Sequence, residues 1–259
     1  MSKYFKNFGK YRYLLFELTK KGIKLKYRRS YLGILWTLLE PLLTMIVLTI
    51  VFGTVFDNKD RAFPVYILTG RLLYTFFANS TKAAMKSIQS HSSMIKKVYV
   101  PKYIYPLSSV LSNFVIFLIS LIVLIGVAAV LHVKPTIYLL QSWIPLVILL
   151  VMVLGVGLIL ATLTVFFRDL EYLWSVALML IMYSSAIFYP TTRLLKTGYA
   201  WILKYNPLYA VIHNFRNTII YGKPMDMDYL VTSVVFSLVS LFIGLIIFYK
   251  QQDKFILHI

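Results

Sequence analysis

Residues 28–43 read RRSYLGILWTLLEPLL. Two arginines close a basic stretch, and an apolar run opens directly behind them. The run, Tyr31 to Phe56, contains no lysine or arginine. At about 1.5 Å of rise per residue it is long enough to cross a hydrocarbon core of about 30 Å. The basic stretch before it, Tyr4 to Arg29, sets the side on which the chain starts. The remainder is therefore read with lipid as the solvent.

Composition extends this reading to the whole chain. Hydrophobic residues make up 59% of 259 residues, and mean hydropathy is +0.76. Soluble domains hold only about 45–50% apolar residues, so a water-soluble core does not account for the excess. The pattern predicts an all-α integral membrane protein with six transmembrane helices, at about 31–56, 63–81, 107–131, 143–167, 172–190 and 228–249. Charged or proline-containing strings separate them: DNKDRAFP, IKKVYVPKYIYP, HVKP and FFRDLEY. Six spans leave no room for a separate catalytic domain. The N-terminus does not read as a cleavable signal, because ten Lys and Arg precede the first apolar run without a small-residue cleavage pattern.

The net charge of +18 belongs to loops facing anionic lipid, not to nucleic-acid binding. With both ends inside, the inner segments carry 18 Lys and Arg and the outer segments 8. That bias predicts both termini in the cytoplasm and a multi-pass protein of the cytoplasmic membrane. The absence of cysteine excludes disulfides, thiolate chemistry and cysteine-held metal.

Before the first span, residues 1–30 form an amphipathic interfacial helix. Tyr4, Phe8, Tyr11, Leu15, Leu18, Gly22 and Leu25 recur at steps of four and three, one apolar stripe on a helix. Lysines lie largely off the stripe, so the helix is expected to rest in the inner interface with its apolar side down. It serves either as a plain anchor or as a lever coupled to the first span.

Glu40 and Arg71 are charges placed where the bilayer opposes them, at about 2.5–3.5 kcal/mol each if they face lipid. Glu40 lies about 14 Å past Tyr31 and Arg71 about 12 Å past Phe63, so both fall near the middle of the core. Two readings stand: the residues pair with one another, or each lines a hydrated passage. Between spans four and five, Arg168, Asp169 and Glu171 form a solvated turn or a contact point for a cytosolic partner.

Catalytic signatures are missing. There is no GxxxxGK[ST] phosphate loop, GxSxG elbow or HExxH helix. His91, His132, His213 and His258 show no metal-ligand spacing. Asp226 and Asp228 read as a helix-start cap before the last span. The chain thus reads as a conduit, with no catalytic residue and no metal site. Aromatics at span ends form interfacial belts. A second set, including Tyr74, Phe77, Tyr183, Phe188 and Tyr189, suits a passage for sugar rings. Residues 191–228 are amphipathic, and are expected to form short re-entrant helices broken at Asn206-Pro207.

Four strings in order carry a family resemblance: KYRRSYLGILWTLLEPLL at 26–43, MIKKVYVPKYIYPLSSVLS at 94–112, TLTVFFRDLEYL at 162–173, and FYPTTRLL with YNPLYAVIHNFRNTIIYG within 188–222. The chain resembles the permease subunit of polysaccharide-exporting ABC transporters, the type-2 export class that includes O-antigen, teichoic-acid and capsule export permeases. The resemblance implies a homodimer bound to two copies of a separate nucleotide-binding ATPase. ATP and Mg would sit on that partner, and this chain would hold no cofactor. It implies a coupling helix at about 91–104, where Met94, Ile95, Val98, Tyr99 and Tyr103 offer apolar contacts and Lys96, Lys97 and Lys102 offer charge.

Residues 1–30 become a gate helix whose Lys20, Lys21, Lys24, Lys26, Arg28 and Arg29 face a polyprenyl-pyrophosphate-linked glycan. Outer gate helices are implied at 191–222, and Glu40, Arg71, Tyr74, Phe77, Tyr183, Phe188 and Tyr189 become channel candidates. Arg71 departs from the family pattern, which has an uncharged residue there. The alternatives are a type-2 permease for small lipids or drugs, a self-contained ion-coupled transporter, and a membrane enzyme acting on lipid-linked sugar.

Overall fold

The computed structural model describes residues 2–28, 30–57, 60–98, 100–191 and 198–258, with side chains described from Tyr11 onward. Helix α1 is Ser2–Tyr27, and a 3-10 turn at Gly33–Leu35 leads into α2, Trp36–Phe56. There follow α3 (Phe63–Ser90), α4 (Ser92–Lys97), α5 (Ile104–Val130), α6 (Trp143–Phe166) and α7 (Leu170–Ser184). The outer segment forms α8 (Ala200–Lys204) and α9 (Pro207–Ile219), and α10 (Met227–Gln251) leads to a short α11 (Phe255–His258). No strand occurs among the described residues.

Local chemistry sets several of these boundaries. Asn206 caps α9 by accepting from the Leu208 and Tyr209 N–H groups at 3.0 and 3.1 Å. Pro207 takes the first helical position, where its missing N–H costs nothing. Asp226 caps α10 by accepting from the Asp228 N–H at 3.1 Å, which fulfils the cap reading of that pair.

Four helical stretches are long and apolar enough to cross a membrane: Gly33–Phe56, Ile104–Val130, Ile137–Phe166 and Met227–His258. The other two expected spans differ in character. Helix α3 continues to Ser90, well past the expected end at residue 81. It carries Arg71, Asn79, Lys82 and Lys86, yet most of its apolar residues are buried against the other helices. Helix α7 stops at Ser184 instead of reaching residue 190. Its 15 residues span only about 22 Å at 1.5 Å per residue.

Helix α3 is the axis of the bundle, with α2, α5, α6, α7 and α9 around it. Leu68, Leu73, Phe76 and Phe77 join Leu149, Met152 and Phe215 in the main core. A second cluster lies at the opposite end: Leu15 and Leu18 of α1, Ile88, Ile95 of α4, Ile104, Tyr105 and Phe255 of α11. Tyr11, Leu15 and Leu18 of the α1 stripe therefore pack on the protein's own helices. Leu15 and Leu18 are buried, while Leu25 is 54% exposed.

The most extensive helix pair is α6 with α10. Ser233, Ser237, Ser240 and Gly244 are buried on α10 at steps of four and three. A Cβ on Gly155 would come within 2.4 Å of the Leu241 backbone N, and one on Gly244 within 2.6 Å of the Gly155 carbonyl oxygen. Small residues let the backbones meet, the usual basis of helix association in lipid. Gly155→Leu is expected to force the pair apart, to destabilise by about 1–3 kcal/mol or more, and to lower the thermal unfolding midpoint in detergent. A wild-type midpoint would show that this crossing is not needed.

Candidate functional site

Glu40 and Arg71 line one cavity of about 60 Å³, together with Lys26, Thr75, Asn79 and Asn113. The two residues share this cavity without forming an ion pair with one another. The ion pairs within 4.0 Å among the described residues are Lys86–Glu171 and His213–Asp226, and neither involves Glu40 or Arg71. The Arg71 Nη1 donates instead to the Met182 Sδ on α7, at 3.8 Å. Glu40 is exposed at the rim of the cavity, on a helix where only Thr37 and Met45 are buried.

The aromatic candidates divide. The Tyr74 hydroxyl donates to the Leu178 carbonyl at 2.9 Å. Phe77 lies 6.2 Å from the Trp174 ring, and the Trp174 Nε1 donates to the Thr81 hydroxyl at 3.1 Å. Phe188 stacks on Phe52 at 5.1 Å. These three candidates are buried and hold α7 and its exit to α2 and α3. Tyr189 is half-buried and donates to the Tyr183 carbonyl at 2.6 Å. Tyr183 presents its ring outward, 57% exposed. At the start of α7 Glu171 pairs with Lys86 at 2.5 Å, so the charged turn is anchored to α3, while Arg168 and Asp169 stay exposed.

Composition counted Arg216 among the outer basic residues, and the structure places it 2% exposed in the core. Its Nη1 donates to the Ala186 carbonyl at 3.0 Å, and its Nη2 to the Tyr66 and Ile187 carbonyls at 2.9 and 3.2 Å. The guanidinium lies 3.4 Å above the Tyr66 ring. Tyr66 donates its own hydroxyl to the Ala186 and Tyr189 carbonyls at 3.1 and 2.9 Å. Gly70 makes room for this, since a Cβ there would stand 2.6 Å from the Arg216 Nη2. The arginine thus satisfies carbonyls left open where α7 ends, with Ala186 in the left-handed region at φ 47°. The available signal was the arginine's place inside the apolar string AVIHNFRNTII.

The candidates on α4 and α1 also separate. On α4, Met94, Lys96, Lys97 and Val98 are exposed, whereas Ile95 is 7% exposed and packs inward on Leu15, Leu18 and Ile104. Tyr103 is half-buried. The Lys102 ammonium donates to the Gln252 carbonyl at 2.5 Å and lies over the Phe255 ring. Burial lowers its pKa, and Asp253 acts the other way. On α1, Lys20, Lys21, Lys24 and Arg28 are exposed, and Lys26 reaches the cavity of Glu40. Tyr99, Arg29 and residues 192–197 of the expected outer gate lie outside the described residues.

The ABC-2 type transporter family model matches residues 13–220, from the second half of α1 to the end of α9. The chain belongs to the ABC-2 type transporter family. An O-antigen export system permease protein RfbA of Klebsiella pneumoniae is 30% identical over 247 residues, covering 93% of each chain. RfbA of Myxococcus xanthus is 27% identical over 248 residues, covering 95% of each. The polysialic acid transport protein KpsM of Escherichia coli is 24% identical over 246 residues, covering 90% of this chain and 91% of that one.

For this ABC-2 chain the two polar features make different demands. Arg216→Lys keeps the charge but not the fork that reaches three carbonyls. It is expected to lose at least about 2 kcal/mol, the scale of charge-assisted hydrogen bonds left unmade, and to unfold earlier in a thermal scan. Exchanging the charges at Glu40 and Arg71 is expected to rescue neither single mutant in a transport assay. Recovery in the double mutant would reinstate a direct pair.

Proposed function

We propose that the chain is the permease subunit of an ATP-driven exporter that moves a lipid-linked polysaccharide across the cytoplasmic membrane. The carrying observation is the near full-length match to proteins named for O-antigen export and for polysialic acid transport. No phosphate-loop motif stands in the sequence, which supports an ATPase on a separate polypeptide holding ATP and Mg.

On this reading α2, α3, α5, α6, α7 and α10 are the six spans, with both termini cytoplasmic. Two copies of the chain enclose the passage, and two ATPase copies sit below. Short α7 crosses with help from the segment behind it, which the buried Arg216 fixes. Helices α8 and α9 form the outer gate. Helix α4 is the coupling helix, supported by the exposure of Met94, Lys96, Lys97 and Val98 beside the anchored Ile95. The basic side of α1 faces the phosphates of the lipid carrier, and Glu40, Arg71 and Tyr183 supply polar and aromatic surface to the route.

Affinity purification from the native membrane, with mass spectrometry of co-purifying chains, tests the assignment. A stoichiometric nucleotide-binding subunit is expected, and a homo-oligomer without one would overturn it. Met94→Asp with Val98→Asp is expected to release that subunit while leaving the permease folded. Ile95 is excluded from the test because a charge there would attack the permease's own core. Retention of the subunit would show that α4 is not the docking element.

A further inference from the structure

Helices α5 and α10 both pack on α6, yet they make little contact with each other. A cavity of about 160 Å³ lies where they stay apart, among α3, α5, α6 and α10. Its floor is Ala84 of α3, Pro106 and Val110 of α5, and Gly157 of α6, all buried. Leu107, Leu154, Leu241 and Leu245 form the rim. The first three are half-buried, and Leu245 is 52% exposed. A Cβ on Gly157 would stand 2.9 Å from the Ala84 Cβ, so α3 and α6 already touch beneath the void and cannot close it further.

Water is a poor occupant. A buried water needs about two to four polar partners, and among the lining side chains the Tyr103 hydroxyl is the one polar group. An empty void is costly as well, because the atoms around it lose their contacts. A dry apolar cavity of roughly 150 Å³ takes up a molecule such as benzene.

The rim shows what is at hand. Helices α5, α6 and α10 belong to stretches long and apolar enough to cross a membrane. Beside Leu241 and Leu245, α10 exposes Phe242 and Ile246, which in a bilayer meet acyl chains. Tyr103 stands directly before α5, and Val110 and Leu245 each lie about 9 Å of helix rise from the nearby helix end. The cavity therefore starts at the membrane interface, where tyrosine is at home, and descends to the depth of the first methylenes of a lipid chain.

We infer that this cavity seats one acyl chain of a membrane lipid, in the leaflet at the Tyr103 end. Tyr103 meets the ester region, and the four rim leucines hold the methylenes behind it. The gain is van der Waals contact in a void, not escape from water, because the chain leaves surroundings that are equally apolar. The seated chain joins α5 to α10, which otherwise meet mainly through α6. The inference depends on α5, α6 and α10 crossing the membrane and not on the cargo of the exporter.

The test uses the full chain in phosphatidylcholine nanodiscs doped with a phosphatidylcholine that carries a diazirine near the carboxyl end of one acyl chain. Irradiation followed by peptide mass spectrometry reads which residues that chain touches. Phe242, next to Leu241 but outside the cavity, is the reference. Label on the half-buried Leu154 and Leu241 is expected to equal or exceed that on Phe242, although Phe242 is 67% exposed. Leu154→Phe fills the cavity from α6. It is expected to lower the label on Leu241 by about tenfold and to leave that on Phe242 within about twofold. Leu107→Phe fills it from α5 and is expected to do the same, so a packing defect in one variant does not decide the test.

Label confined to Phe242 would make the cavity an empty packing void and overturn the site. Label on Leu241 that neither variant reduces would overturn it too, by reducing the contact to the general lipid surface. Absence of label from both residues would contradict the membrane placement of α10 and remove the site with it. Co-purification of an ATPase, which tests the exporter reading, is independent of all three results.

Discussion

The junction of α3, α7 and α9 depends on one guanidinium buried among carbonyl oxygens. Removing a charge from water costs several kcal/mol unless it is paired or fully hydrogen-bonded. Arg216 meets that condition without a carboxylate: it donates to the Tyr66, Ala186 and Ile187 carbonyls and to the Thr69 hydroxyl, and the Tyr66 ring lies beneath it. The exchange is mutual. A helix that ends inside a low-dielectric bundle leaves carbonyls that need donors, and α7 ends in such a place. One side chain on α9 therefore ties the exit of α7 to α3, and Gly70 provides the space. A lysine, as a point charge, does not reproduce this geometry.

The opposite end is held by apolar contact. Leu15 and Leu18 of α1, Ile95 of α4 and Phe255 of α11 share one cluster, and Lys102 adds a bond to the Gln252 carbonyl. Helix α4 is therefore packed in one cluster with α1 and α11. Between these two ends α7 is attached to α3 at intervals, through Arg71–Met182, Tyr74–Leu178, Trp174–Thr81 and Lys86–Glu171. Its other side, with Tyr172, Leu173, Val176, Leu180 and Tyr183, is exposed. A helix held on one side and open on the other suits the proposed passage between two copies of the chain.

Much of this architecture was legible in the sequence because lipid imposes long apolar runs. The ends of α2, α5, α6 and α10 fell within a few residues of expectation, Asp226 announced its cap through residue type, and Asn206-Pro207 announced a break between α8 and α9. Three features were not legible. The true end of α7 depends on Arg216, and no local signal at residues 184–190 reveals a partner on α9. The aromatic set mixed roles, because Tyr74 and Phe77 follow the same periodicity whether they face a passage or a neighbouring helix. Ile95 was grouped with Met94 and Val98 as docking surface. A short helix buries one side, and only the position of Leu15 and Ile104 shows which side that is. The α1 stripe was assigned to lipid for a related reason: periodicity shows that a face is apolar but not what covers it.

The central claim is that the chain is a conduit driven by a separate ATPase. Reconstitution with its co-purified ATPase and a lipid-linked glycan in proteoliposomes tests that most directly. Movement of the glycan across the bilayer is read as loss of protection from an added glycosidase. The account predicts translocation that needs ATP hydrolysis and both subunits. Translocation by the chain alone, or hydrolysis that never moves the glycan, would contradict it.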